Sequence, residues 1–382
     1  MLAAMDQRIS FVTLAVADLE ASRRFYVDGL GWRAELEVPG EVVMIAVGER
    51  VVLSLWAQDG FEGEVGPIRQ GPGEVPMTLA HNVADRTELE AVLDLARSAG
   101  AREVSEAVER DWGGVTGYLA DPDGFRWEVA VNPGPLGQRV LPPEAREEVR
   151  RTPFGQPVGP DLTGWTPPPW PALPGPLHGR WCTLEPLTAE HAAELAPEVA
   201  APEHAALWTY LREDPPRDAT AFAEVIADRV AREDVVPVVV RDADGVACGL
   251  ADLMRVDRAN GVVEVGNILL GPRLARTTAA TEAMHLLAAH AFDLGYRRYE
   301  WKCDALNVPS RRAATRLGFR YEGTFARHVV TKGRSRDTAW FALTDADWPA
   351  VAAAHRAWLA DDNHDEGGQR RPLREHLAEA GR

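Results

Sequence analysis

The chain has 382 residues, 46% hydrophobic and 26% charged, so its composition is globular and its length predicts at least two domains. Its formal net charge of −17 excludes sequence-independent binding to nucleic acids or anionic membranes, which requires a positive surface. Three widely spaced cysteines give neither a zinc motif nor a disulfide framework, which favours a reducing cytoplasm. No apolar run approaches ~20 residues and no signal-peptide pattern opens the chain, so we expect no membrane contact.

The first third of the chain contains a repeat. Residues 11–26, FVTLAVADLEASRRFY, and 78–93, TLAHNVADRTELEAVL, both run from a β-like stretch through Val-Ala-Asp into a helix. In the second copy Asp85 is placed to cap the helix and Glu88 to complete a capping box. Strand candidates follow each helix, at 41–56 and 113–131. Each copy is therefore predicted as β-α-β-β-β.

Prolines mark the domain boundary. Between Pro133 and Pro176 lie 13 of the 28 prolines, and neither a long helix nor a central strand can run through them. Trp165 and Trp170 predict that the later part of this stretch lies against a folded surface. We expect a first domain at 1–134, a linker at 135–154, a second domain at 155–358 and a charged, mobile tail with one short helix at 359–382.

The repeat, together with SRRFYVDGLGW, WGGVTGYLADPDG and WEVAVNP, resembles the vicinal oxygen chelate superfamily of glyoxalases, dioxygenases and bleomycin-resistance proteins. The resemblance covers about residues 7–134 and implies a paired βαβββ module. Active members of that family hold a divalent metal with His, Gln or Glu on equivalent strands of the two repeats. The equivalent positions here are Phe11, Thr78, Ser54 or Leu55, and Glu128. One carboxylate does not suffice for a catalytic metal, so we expect no metal in this domain.

Without a metal, the first domain is predicted to bind a small molecule through aromatic side chains. The expected lining of its concave sheet is Phe11, Trp56, Trp112, Tyr118 and Trp127. The alternative is that these aromatic residues simply form the core.

The second half begins with strands at 235–256, joined by a turn at 242–245, and a third strand at 261–270. A basic, hydroxyl-rich turn then leads into a helix. Free N–H groups and the positive dipole end at such a helix start favour a phosphate. Thr277 and Thr278 are expected to add hydroxyl donors there.

Residues 297–323, RRYEWKCDALNVPSRRAATRLGFRYEG, predict a strand, Asn307, and a short helix that ends at Gly318. The Asn-x-x-Ser and Leu-Gly-Phe motifs, with WCTLEPLTAEHAAEL, EVGNILL and ATEA, resemble the GNAT superfamily of acyl-CoA-dependent N-acyltransferases. Within it they resemble the branch that includes ribosomal-protein N-terminal acetyltransferases. The resemblance covers about 155–350 and implies a mixed α/β fold with a central twisted sheet. The whole chain is thus predicted as a two-domain α+β protein.

The GNAT resemblance implies a binding site for acetyl-CoA. The pyrophosphate loop of the family falls on residues 275–280, where Ala275 has lost the usual polar side chain and Thr278 replaces a glycine. The strand edge that pairs with pantetheine falls on residues 267–270. The implied coenzyme contacts are Ile268, Leu269, Leu270, Arg273, Arg276, Thr277, Thr278, Ala279, Ala280, Asn307 and Ser310.

Acyl transfer to an amine needs a group that takes a proton from the attacking nitrogen. Glu264 aligns with a position that often carries such a base or water-holding acid, and the alternative is a salt-bridged strand residue. Asn267 is the second catalytic candidate, and a main-chain N–H near 268–270 is expected to polarise the carbonyl. Ala314 stands where many relatives have a tyrosine that protonates the thiolate. Cys303 is expected to be a buried strand cysteine and not a nucleophile.

The acceptor contacts are predicted at Trp208, Tyr210, Trp301 and Asp304. The leading hypothesis is a cytoplasmic acetyl-CoA-dependent N-acetyltransferase for a primary amine of a small molecule, with antibiotic self-resistance as its role. Its first domain would bind a ligand without metal and pair into a homodimer. The alternative is a non-catalytic sequestering or resistance protein with a vestigial transferase domain. A metal lyase or dioxygenase is disfavoured by Phe11 and Thr78.

Overall fold

A computed structural model describes residues 11–48, 51–64, 68, 77–141, 149–365 and 368–380. The chain divides into two compact units, Met1–Thr163 and Gly164–Arg382. The division lies inside the proline-rich stretch, so residues 155–163 belong to the first unit and not to the second domain as expected. A hairpin that pairs Arg150–Arg151 with Pro157–Val158 spans the expected start of the second domain.

The described part of the first unit has two main sheets, with helices between their strands, and the separate two-stranded hairpin at 150–158. Its strands are β1 Phe11–Val16, β2 Ala34–Val38, β3 Val42–Gly48, β4 Val51–Ala57, β5 Thr78–Val83, β6 Glu103–Val104, β7 Val108–Glu109, β8 Val115–Ala120, β9 Arg126–Val131, β10 Arg150–Arg151 and β11 Pro157–Val158. Its helices are α1 Leu19–Arg23 with a π-helical continuation Arg24–Gly29, α2 Gln58–Glu64, α3 Arg86–Ser98 and α4 Pro135–Val140. The sheet orders β1-β4-β3-β2 and β5-β9-β8-β6 repeat one topology, which confirms the predicted paired βαβββ module.

The capping pattern positions α3. The Asp85 side chain accepts the N–H of Glu88 at 2.9 Å, and Glu88 accepts the N–H of Ala84 at 2.9 Å. The helix buries Leu89 and Leu93 against the unit's core, as its apolar spacing predicts.

The second unit is built on an eight-stranded sheet of order β12-β13-β14-β15-β16-β17-β19-β18. Its strands are β12 Leu177–His178, β13 Cys182–Pro186, β14 Val235–Asp242, β15 Ala247–Asp257, β16 Val262–Leu270, β17 Arg298–Asp304, β18 Arg320–Thr331, β19 Arg334–Thr344, β20 His364–Asp365 and β21 Gly368–Gln369, of which the last two form a separate hairpin. Its α-helices are α5 His191–Leu195, α6 Ala219–Ala231, α7 Thr278–Asp293, α8 Val308–Arg316, α9 Trp348–Leu359 and α10 Leu373–Glu379. A π-helix lies at Ala196–Ala200 and 3₁₀ turns lie at Pro202–Trp208 and Asp361–Asn363.

The sheet opens at its centre, between β16 and β17. These two strands are parallel and pair only from Val262 opposite Arg298 to Val265 opposite Trp301. On the other side of β16, the pairing with β15 shifts register between Leu250 and Asp252, which gives a bulge at Asn267, where φ is +48°. The second half of β16 therefore departs from β17 and leaves a cleft in the sheet.

The later part of the proline-rich stretch packs on the second unit, as Trp165 and Trp170 predicted. The carbonyl of Pro168 accepts a hydrogen bond from Arg258 at 2.8 Å, and that of Pro169 accepts one from Tyr296 at 2.9 Å. The Arg297 guanidinium lies over the Trp165 ring, 5.7 Å from its centroid.

The expected mobile tail is instead part of the second unit's core. The short helix predicted there is α10, and it buries Leu373 and Leu377 beside Val351 of α9. The prediction of a mobile tail was wrong because it rested on the many charged residues of this segment. Its two leucines lie four residues apart, so they share one helix face and can be buried together. None of the helices in the described ranges is both long and apolar enough to cross a membrane.

Candidate active site

The start of α7 presents main-chain N–H groups. Arg276 has a φ of +66°, and Thr277 then caps the helix. The Thr277 hydroxyl donates to the Leu274 carbonyl at 2.7 Å and accepts the Ala280 N–H at 3.2 Å. Its expected role as a free hydroxyl donor is therefore wrong, because the cap uses its proton. The N–H groups of Thr278 and Ala279 have no hydrogen-bond partner among the described residues.

A groove of about 770 Å³, which we call the donor groove, runs from this helix start along β16. It is lined by six of the residues predicted to bind coenzyme, namely Ile268, Leu270, Arg276, Thr277, Thr278 and Ala280. Pro309 and Ala313 of α8 line it as well. Its lining thus combines cationic and N–H groups at one end with apolar side chains along the cleft.

Five predicted coenzyme contacts do not line the donor groove, and two of them, Asn307 and Ser310, line a second cavity. Arg273 is bound to Asp242 at 2.7 Å and to Asp244 at 3.0 Å, away from the groove, because the turn between β14 and β15 brings these carboxylates to it. Leu269 points to the opposite face of the sheet and packs with Phe222 of α6, since neighbouring strand residues alternate. The Ala279 side chain packs on the core, so only its N–H faces outward.

The C-terminal segment forms part of the donor groove, which the sequence did not predict. Trp358, His364 and Gln369 line it. The Trp358 indole donates to Gln369 at 2.7 Å, and the Arg316 guanidinium lies 4.8 Å from the centroid of the Trp358 ring. Arg316 also donates to Thr281, in the first turn of α7, at 2.9 Å.

A second cavity, of about 780 Å³, lies on the other side of the cleft, and we call it the acceptor cavity. It is lined by eight of the predicted site residues, namely Tyr210, Glu264, Asn267, Ile268, Trp301, Asp304, Asn307 and Ser310. The donor groove and the acceptor cavity share Ile268 and Trp301. The two spaces therefore meet where β16 and β17 diverge.

Trp208 is not an acceptor contact. It is buried, its indole N–H donates to the Val199 carbonyl at 2.8 Å, and its ring packs on Phe222. The 3₁₀ turn that ends at Trp208 directs this side chain into the core, whereas Tyr210, two residues later, reaches the cavity and donates to the Leu306 carbonyl at 3.3 Å.

Glu264 is a buried carboxylate with two cationic partners. It accepts from Arg255 through one oxygen and lies 2.9 Å from the Lys302 ammonium through the other. Lys302 also binds Glu300 at 2.6 Å and lies over the Trp340 ring. Glu264 therefore forms the salt bridges expected of a structural strand residue. It also lines the acceptor cavity, as a catalytic base must.

Asn267 is held by a buried network. Its side-chain amide donates to Asp252 at 2.7 Å, and its main-chain carbonyl accepts from Arg229 at 3.0 Å. Arg229 in turn binds Asp252 at 3.1 Å, and burial raises the pKa of the fully buried Asp252 carboxyl. These contacts assign the Asn267 side chain to fixing the bulge of β16, not to proton transfer.

The start of α8 lies beside the meeting point. Asn307 caps this helix by accepting the Ser310 N–H at 3.2 Å, and the Ser310 hydroxyl accepts the Trp301 indole N–H at 2.9 Å. Ala314 is buried and offers no hydroxyl to the site. Cys303 lines the acceptor cavity, but burial raises the pKa of its thiol, which makes it a poor nucleophile near neutral pH.

Comparison with known proteins identifies the second unit. Residues 182–320 match the acetyltransferase (GNAT) domain family. A GCN5-related N-acetyltransferase from Brucella melitensis is 44% identical over 57% of this chain and 100% of its own, with a TM-score of 0.55. The chain belongs to the GNAT acetyltransferase family. A probable acetyltransferase of the same family from Chromobacterium violaceum is 37% identical over 52% of this chain and 100% of its own, with a TM-score of 0.48.

The first unit of this GNAT protein is similar to a different family. Residues 8–129 match the glyoxalase/bleomycin resistance protein/dioxygenase superfamily. A glyoxalase-related enzyme from Fulvimarina pelagi is 30% identical over 41% of this chain and 99% of its own, with a TM-score of 0.31. No curated protein matches the chain.

In the glyoxalase-like unit, Glu128 accepts the Tyr118 hydroxyl at 2.7 Å. Among the described residues, no group of three or more His, Cys, Asp or Glu side chains could hold a metal ion. Phe11 and Trp112 are exposed, whereas Trp127 belongs to the core, where it donates to Tyr26 at 2.9 Å and packs on Trp32. The expected aromatic lining is therefore wrong at Trp127, because strand alternation turns it to the helix-covered face.

Sequence reasoning missed several charged residues of the GNAT site. Arg255, Lys302 and Arg336 line the acceptor cavity, and Arg312 and Arg316 line the donor groove. The spacing of Arg312 and Arg316, four residues apart on α8, was a usable signal, since it puts both on one helix face. The cavity cations come from three different strands and carried no comparable signal.

Proposed function

We propose that this protein is an acetyl-CoA-dependent N-acetyltransferase that acts on a primary amine of a small molecule. Membership of the GNAT family supports acyl transfer. The observation that carries the rest is the junction at Ile268 and Trp301, two residues that line both a groove suited to a coenzyme and a separate polar cavity. Such a junction holds a thioester and an amine within reach of each other.

The donor groove fits acetyl-CoA in charge and in shape. The free N–H groups of Thr278 and Ala279 and the positive end of α7 suit a diphosphate, with Arg276 and Arg316 on the same groove. The apolar Ile268, Leu270 and Pro309 suit the pantetheine arm. Acetyl-CoA bound in this way would supply an activated acyl group at the junction.

Acetyl transfer at this junction requires one bond to form, one to break and two protons to move. The amine nitrogen forms a bond to the acetyl carbon, the carbon–sulfur bond breaks, and coenzyme A leaves as a thiolate that takes a proton from solvent. The proton lost by the amine passes to Glu264, directly or through a water molecule. Trp301 and Ser310 hold the wall of the cavity beside the reacting atoms. The raised thiol pKa of Cys303 supports direct transfer without an acyl-enzyme.

The glyoxalase-like unit is, in this proposal, a ligand-binding module. Exposed Phe11 and Trp112 supply aromatic surface. Linking a binding module to an enzyme raises the local concentration of a shared ligand. A role in antibiotic self-resistance in the cytoplasm, with pairing of the first units into a homodimer, rests on analogy between folds alone.

The test has two steps on the full chain. Calorimetry should show binding of acetyl-CoA, and a free-thiol assay over a panel of primary amines, aminoglycosides included, should show release of coenzyme A that depends on the amine. Binding without turnover on any amine would favour the non-catalytic alternative. No binding of acetyl-CoA would overturn the proposal.

A further inference from the structure

Arg336 of β19 lines the acceptor cavity close to the proposed reaction centre. Its strand pairs with β17, with Thr338 opposite Asp304 and Ala339 opposite Cys303, and the Ala305 N–H donates to the Asp337 carbonyl at 2.9 Å. Arg336 therefore stands where β17 ends and the chain turns toward Asn307, which also lines the cavity.

The guanidinium of Arg336 has no partner of opposite charge. Its Nε is buried without a hydrogen bond, and its side chain makes no ion pair with any residue in the described parts of the chain. Three other cations of this cavity are paired: Arg232 binds Asp234 at 2.7 Å, Arg255 binds Glu264, and Lys302 binds Glu264 and Glu300. Arg212 also lines the cavity without an ion pair among the described residues, but its side chain is exposed to solvent, whereas the Nε of Arg336 is buried.

Two carboxylates close to Arg336 along the chain and across the sheet make no ion pair with it. Asp337, its neighbour in the chain, accepts the Arg327 N–H at 2.7 Å, and Asp304 accepts the Leu306 N–H at 2.8 Å. A buried N–H donor of a cation that has no hydrogen-bond acceptor lowers the stability of the folded protein. A planar guanidinium with free donors that faces a cavity is suited to bind a carboxylate through two parallel hydrogen bonds.

We propose that the acetyl acceptor is an amine that also carries a carboxylate, and that Arg336 binds this carboxylate. The inference rests on the proposed function and names the substrate class of its acceptor site. The cavity favours a single negative charge over a phosphate, because acidic and basic side chains are equal in its lining, five of each. Asp304, on the neighbouring strand, supplies a negative group for the amine end of the same molecule.

The test compares amino acids with their carboxamides, for example glycine with glycinamide and β-alanine with β-alaninamide, as acceptors of the full-length protein at saturating acetyl-CoA. We expect kcat/KM to favour the acid by about tenfold or more, as for a site that loses an ion-paired hydrogen bond. In Arg336→Gln this preference should fall to about twofold or less, because the loss of kcat/KM is larger for the acids than for the amides. Arg336→Lys, which keeps the charge but not the planar fork, should give an intermediate ratio.

Arg334→Gln is the matched control, since Arg334 is exposed on the same strand and is absent from the cavity lining. Equal rates with acid and amide in the parent protein would overturn the inference, as would a preference that persists in Arg336→Gln. Faster transfer to phosphoethanolamine than to any amino acid would overturn the choice of carboxylate.

Failure of turnover on every amine is a separate result that concerns the proposed function. In that case calorimetry with the same acid and amide pairs in the presence of coenzyme A decides the inference alone. Tighter binding of the acids that is lost in Arg336→Gln supports it, and equal or undetectable binding of both overturns it. Thermal melts of each variant establish that it is folded.

Discussion

At the scale of single residues, two main-chain N–H groups matter more than the side chains of the turn that contains them. The Thr277 hydroxyl caps helix α7, and Arg273 forms ion pairs with Asp242 and Asp244. Neither side chain is therefore free to bind a phosphate. What remains for an anion is the pair of amides at Thr278 and Ala279, with Arg276 beside them. A loop without the family's glycine at 278 therefore keeps these donors, because every residue except proline has a main-chain N–H.

Thr278→Pro tests this point, because proline removes the amide but suits the first position of a helix. The preceding residue, Thr277, has φ −99° and ψ 169°, which a following proline tolerates. We expect the Kd for acetyl-CoA, measured by calorimetry, to rise by about 10- to 100-fold, as for loss of a hydrogen bond to a charged group. Thr278→Ala keeps the N–H and should bind within about threefold of the parent protein. Equal weakening in both variants would show that the side chain, not the amide, makes the contact.

The role of Glu264 can be separated from its ion pairs, because Glu300 shares its partner Lys302 and lies opposite it in the sheet. We expect Glu264→Gln to lower kcat by about 100-fold. Glu300→Gln removes a carboxylate from the same cation, but Glu300 does not line the acceptor cavity, so this variant should keep most of the kcat of the parent protein. If both variants lose activity equally, Glu264 has only a structural role.

At the scale of elements, the stability of the second unit depends on packing between helices that are far apart along the chain. Helices α7 and α9 meet through two histidines: His285 and His355 have ring centroids 5.4 Å apart, and Trp348 packs on both. His355 is buried, and one of its ring nitrogens lies 3.2 Å from the Leu317 carbonyl at the end of α8. Two neighbouring imidazoles in an apolar contact are stable only when they are neutral.

This contact predicts a loss of stability in acid. Burial, with the nearby His285, lowers the pKa of His355 to about 3. In the unfolded chain the imidazole titrates near pH 6.5, so the unfolded state binds the extra proton and stability falls as the pH drops below that value. We expect the free energy of unfolding of the second unit, from denaturant titrations, to fall by about 2 kcal/mol between pH 7 and pH 5 through this group.

His355→Gln is the control for that prediction, because glutamine keeps a donor for the Leu317 carbonyl and does not titrate. The variant should lose correspondingly less stability over the same interval, whatever its stability at pH 7. An acid loss of the same size in the variant would assign the effect to other groups.

At the scale of the whole molecule, the two units have separate cores. The first is built from the helix-covered faces of its two sheets, and the second from the faces of its single sheet, with α7, α9 and α10 on one and α6 on the other. Stabilisation by a ligand therefore acts on the unit that binds it.

Separate cores predict two thermal transitions in scanning calorimetry of the full chain. Acetyl-CoA at 100 times its Kd should stabilise the second unit by about 2.7 kcal/mol, and only one of the transitions should move. A single transition that moves as a whole would mean that the units unfold together.

The local elements followed from the sequence because their causes are local. The repeat of the first unit, the capping box of Asp85 and Glu88, and the helix that Asn307 caps all depend on residues a few positions apart, so their spacing was sufficient. Ile268, Asn307 and Trp301, which the sequence named as site candidates, all line the donor groove or the acceptor cavity, since the turn and the strands around them are fixed by short-range patterns.

What tertiary structure alone decided were the partners of polar and aromatic side chains. Arg273 bound two carboxylates from a distant turn, Trp208 entered the core, and the C-terminal segment docked beside the donor groove. Among the described residues Arg336 makes no ion pair, although Asp337 is its neighbour in the chain and Asp304 lies on the paired strand β17. The physical reason is the same in each case. The sequence shows which residues carry a charge or an indole, but their hydrogen-bond and ion-pair partners come from strands and helices that are far apart along the chain.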